Sequence, residues 1–75
     1  MSNERRHEMI RLRLYQGAYA QLWMSISQLG TSPIYWIVDQ ETSDVVNIEG
    51  VNWKNLKDVM QALQIYEYEK MEEYV

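Results

Sequence analysis

No cysteine occurs among the 75 residues, so no disulfide can hold this chain together. The single histidine, His7, leaves too few ligands for a zinc site of the usual Cys/His kind. No apolar run approaches the roughly 20 residues of a membrane helix; the longest is Ile34-Tyr35-Trp36-Ile37-Val38. Arg5 and Arg6 suit the basic start of a secretory signal, but Arg11, Arg13 and Gln16 interrupt any apolar segment after them. Ser2 stands where myristoylation needs glycine. The expectation is a cytoplasmic protein.

Chemistry is equally sparse. There is no glycine-rich phosphate loop, no Ser-His-Asp set and no His-Glu-x-x-His pattern. His7 lies among Arg5, Arg6 and Arg11 near one end, where a solvated side chain is expected. Asp39, Glu41 and Asp44 share a turn, yet lack the Asp-x-Asp-x-Asp-Gly spacing of a calcium loop. The reading is of a non-enzyme with no catalytic residue, no cofactor and no metal.

Phenylalanine is absent too, while tyrosine occurs six times and tryptophan three times. Tyr and Trp join an apolar body to a polar tip and suit half-buried or interfacial positions. A chain of this length buries only about 60% of its unfolded surface, and small domains without staples often gain burial by oligomerising. Charge is split along the chain. Residues 1–30 carry a net +2 from four arginines and two glutamates, and residues 31–75 carry a net −6. An acidic whole disfavours general binding to a phosphate backbone.

Leu12, Tyr15, Tyr19, Leu22, Ile26 and Leu29 recur at alternating steps of three and four, the spacing of one helical face. The spacing predicts a helix over about 4–29, capped by Ser2 or Asn3 and stopped at Gly30. Gly17 is costly in such a helix, and with Ala18 and Ala20 it forms a low-relief patch for close packing. Residues 34–49 read as a β-hairpin, rich in β-branched and aromatic residues around a turn at Asp39–Asp44. With Asp39 opposite Asp44, one side carries Tyr35, Ile37, Val46 and Ile48. The other is mixed, carrying Ile34, Trp36, Val38 and Val45 together with Asn47 and Glu49. Ser43 falls where such a turn commonly needs glycine. Asn52 then caps a second helix to about residue 72, with Trp53, Leu56, Val59, Met60 and Leu63 on one face. The expected fold is a single small α+β domain of order α-β-β-α.

Function follows only in outline. The expectation is a small acidic protein–protein interaction module: a regulator, inhibitor or adaptor subunit acting by binding a partner protein as a homodimer. Trp36, Val38 and Val45 on the outer hairpin side, with Trp23 beside the main stripe, are the expected contact residues. Two alternatives come from charge. Arg5, Arg6, Arg11 and Arg13 would let the first helix meet nucleic acid. Glu69, Glu72 and Glu73 would let the acidic C-terminal segment mimic nucleic acid and block an enzyme that binds it.

Overall fold

Ile10, Leu12 and Leu14 alternate with Arg11 and Arg13, a period of two that belongs to a strand. The computed structural model, which describes residues 9–27 and 32–73, forms that strand and two more before its helix. The order is β1 (Met9–Gln16), β2 (Ala20–Ser27), β3 (Ile34–Asp39) and α1 (Leu56–Glu73). All strand pairings are antiparallel, and β2 lies in the middle of the sheet. The expected α-β-β-α order is therefore corrected to β-β-β-α. The supposed first helix is a hairpin among the described residues. The expected caps at Ser2, Asn3 and Gly30 lie outside those residues, as do Leu29, Arg5, Arg6 and His7.

The 3–4 spacing has a different cause. Leu12 pairs with Met24, Tyr15 with Leu22, and Ile10 with Ile26, so these residues share one face of a sheet. An irregularity between Arg13 and Tyr15 leaves Leu14 as an extra residue and shifts the strand by one position. Such a bulge turns two consecutive side chains to one side. It converts the strand step from Leu12 into a step of three.

The second expected hairpin is half realised. β3 forms, and Val38 pairs with Val45 in the expected register. The Asp39 amide donates to the Asp44 carbonyl and the Val46 amide to the Ile37 carbonyl, both at 2.8 Å. Beyond Val46 the chain leaves β3, and the Tyr35 amide donates instead to the Trp53 carbonyl at 2.9 Å. Ser43 takes φ 65°, the left-handed conformation that favours glycine.

The helix cap lies three residues later than expected. Asn52 accepts from the Lys54 amide in a preceding turn, at 3.1 Å. Asn55 is the cap proper, its side chain accepting from the Asp58 amide at 3.0 Å. The helix then runs through Glu73. It packs across β2 and β3 and leaves β1 uncovered. The core between them is Ala20, Leu22, Tyr35, Ile37, Val59, Ala62 and Leu63.

Candidate functional site

The one helix among the described residues packs on one side of the three-stranded sheet, and no described element covers the other side. Antiparallel order assigns that side without ambiguity. Trp23 pairs with Trp36, Gln21 with Val38, Ser25 with Ile34, Arg13 with Trp23 and Arg11 with Ser25. Val45 joins through its pairing with Val38 and is 62% exposed. The expected contact residues Trp23, Trp36, Val38 and Val45 thus meet on one surface, although they come from distant parts of the sequence. Arg11 and Arg13 border it from β1, both exposed, and neither is in an ion pair among the described residues.

The tryptophans form the centre. Their rings stack with centroids 6.2 Å apart and planes 15° apart. The Trp23 indole N–H donates to the Gln21 side chain at 2.8 Å, and Gln21 donates in turn to Gln40 at 2.8 Å. This fixes the Trp23 ring beside Trp36. Open antiparallel faces usually carry polar side chains. Here the strands present Ile34, Trp36, Val38 and Trp23, with no acidic residue among them.

A second uncovered region lies on the helix side, where β1 extends beyond α1. The bulge brings Leu14 and Tyr15 opposite Leu56 and Met60 to line a groove of about 430 Å³. Tyr15 is 54% and Leu12 48% exposed. Val51 packs against the core, while Leu56 lines this groove.

Two carboxylates lock α1 onto the sheet. The Glu67 carboxylate accepts hydrogen bonds from the amides of Ala18 at 3.2 Å, Tyr19 at 2.9 Å and Ala20 at 2.7 Å. Gly17 makes room for it: an added Cβ would come within 2.7 Å of the Glu67 Cδ. The expected low-relief patch around Gly17 therefore admits a side chain, not a second helix. The other carboxylate is Asp39, buried at the end of β3. It accepts from the Glu41 and Thr42 amides at 2.9 and 3.0 Å and from the Tyr66 hydroxyl, with the Lys70 ammonium 3.5 Å away. Its lone pairs serve the turn and the helix. Among the described residues no three potential metal ligands come together.

The same contacts set the protonation of this cluster. The Tyr66 hydroxyl, followed by the Thr42 amide, holds the Asp39 carboxyl down from 3.8 to about 2, against the opposing effect of burial. Burial, followed by Asp39, pushes the Tyr66 phenol up to about 12. Asp39 is lowered in the folded state, so its stabilisation is complete above about pH 4 and is lost as pH falls through about 2. With allowance for nearby solvent, that contribution is on the order of 1–2 kcal/mol. Tyr66→Phe should remove its largest single part, leaving a variant less stable at pH 7 but nearly equal to wild type at pH 2. Urea denaturation at the two pH values checks this. A constant difference between the proteins would contradict the assignment.

No known protein family, curated protein or solved structure matches the chain. No helix among the described residues is long and apolar enough to cross a membrane. Sequence reasoning missed Glu67, whose only local signal is the glycine and two alanines it packs against.

Proposed function

We propose that the chain is a small interaction module that acts by binding protein surfaces, and that two copies close their outer sheet faces on one another. The stacked Trp23–Trp36 pair carries this reading, because it sits at the centre of an apolar face that no element of the described chain covers. A central aromatic anchor with arginine at its border is the composition of a binding hot spot. The thin core supports it as well, since only seven hydrophobic residues among those described are buried. Face-to-face packing of two such sheets would form the second core that one copy lacks.

Trp36→Ala tests the reading. The variant should lose about 1 kcal/mol of monomer stability with the stacking contact. Its self-association, followed by sedimentation equilibrium, should weaken at least tenfold. A folded variant that associates like wild type would place the interface elsewhere.

Arg11 and Arg13 beside the tryptophans favour a second reading, single-stranded nucleic acid laid across the same face. The arginines would act from a strand, since the first helix does not exist among the described residues. Oligonucleotide binding that falls steeply with salt would mark this reading.

A further inference from the structure

We propose that the free edge of β1 takes up an added strand from an acidic partner, an extended segment in which acidic and apolar residues alternate. The inference goes beyond the proposed dimer, because two copies joined through their outer faces leave both β1 edges open.

β1 is eight residues long, contains neither glycine nor proline, and no described strand lies on its far side. Its first five residues, Met9–Arg13, pair regularly with β2 before the bulge at Leu14. An unpaired, regular edge is a template for strand addition, with main-chain hydrogen bonds supplying affinity and alternate side chains supplying selection. The selection can be read from the two faces. On the outer side an added strand meets Arg11 and Arg13, which no acidic residue of β1 or β2 offsets. On the helix side it meets exposed Ile10 and Leu12, next to the apolar groove. Opposite charges facing each other across a strand pair are stabilising and like charges are destabilising. The fitting strand therefore sets acidic residues against the arginines and apolar residues against Ile10 and Leu12.

A second copy of β1 fits poorly. Residues opposite each other in an antiparallel pair point to the same face, so a two-fold pairing must centre on a residue. Centred on Arg11 or Arg13 it sets that arginine against itself, and centred on Leu12 it sets Arg11 against Arg13. Each of these registers opposes like charges directly; a shorter overlap centred on Ile10 sets Arg11 against Met9 and gains no charge pairing. The edge is thus biased against self-pairing and toward an acidic strand.

The test uses the full chain and labelled eight-residue peptides, followed by fluorescence anisotropy at low salt. A peptide of alternating glutamate and valine should bind, and its lysine–valine counterpart should bind at least tenfold more weakly. N-methylation of the glutamate–valine backbone should also weaken binding at least tenfold, because it blocks the edge hydrogen bonds without changing charge. Arg11→Glu combined with Arg13→Glu changes only exposed positions and should invert the preference toward the lysine peptide. Trp36→Ala should leave the affinity within twofold, which separates failure here from failure of the dimer. No binding by the glutamate–valine peptide would overturn the proposal. So would equal binding by the N-methylated form, or an acidic preference that survives the double substitution.

Discussion

Glu67→Ala is expected to cost about 2–4 kcal/mol, a large share of the stability available to a domain of this size. One carboxylate accepts from three consecutive amides at the β1–β2 turn, and those of Tyr19 and Ala20 are partly shielded from water. Hydrogen bonds to a charged acceptor contribute roughly 1.5–3 kcal/mol each when replaced singly. The three are not additive, because one side chain serves them all and water can reach Ala18. Glu67→Gln keeps the shape and one acceptor oxygen, but turns an amide donor toward backbone donors. Its loss should fall between wild type and alanine. Urea unfolding of both variants measures the effect, and a loss below about 0.5 kcal/mol for Glu67→Ala would show that the helix is seated by apolar packing alone.

Ile37→Ala is expected to cost about 3–4 kcal/mol, since truncating a fully buried isoleucine removes its transfer energy and leaves a cavity. Ile37 has no exposed surface and belongs to the cluster formed with Leu22 on β2 and Val59 on α1. Total stability for 75 residues is roughly 4–11 kcal/mol, so the variant should be marginal at 25 °C. The same substitution at Val38, on the opposite face of the same strand, should cost less than about 1 kcal/mol in the monomer. Comparing the two by thermal unfolding tests which side of β3 faces the core. Equal losses would contradict the assigned faces.

Legibility from sequence differed along the chain for physical reasons. Residues 34–39 and 45–46 were readable because the side-chain period of two meets no irregularity on either side of the turn. The Val38–Val45 register and the inward placement of Tyr35 and Ile37 follow from it. Residues 9–27 misled because a bulge at Leu14 and a tight turn at Gly17 insert odd steps into two strands. Their sum imitates the spacing of a helix. The Ile10–Leu14 alternation was the competing signal, and Gly17 marked the turn. Asn52 and Asn55 are both good caps, and sequence alone does not decide which one starts the helix. The candidate surface was partly readable as well: Trp36, Val38 and Val45 follow from strand alternation. Trp23 and the arginines join them only through the β1–β2–β3 pairing, which a helical reading hides.

Contacts between copies give the most direct test of the proposed outer-face pairing. In a mixed sample of isotope-labelled and unlabelled chains, filtered nuclear Overhauser spectra report only proximities across the interface. The account predicts cross-peaks from the Trp23 and Trp36 indole protons of one copy to Val38 and Val45 methyl groups of the other. A spectrum without them at millimolar concentration, or with intermolecular peaks confined to α1 or β1, would contradict it.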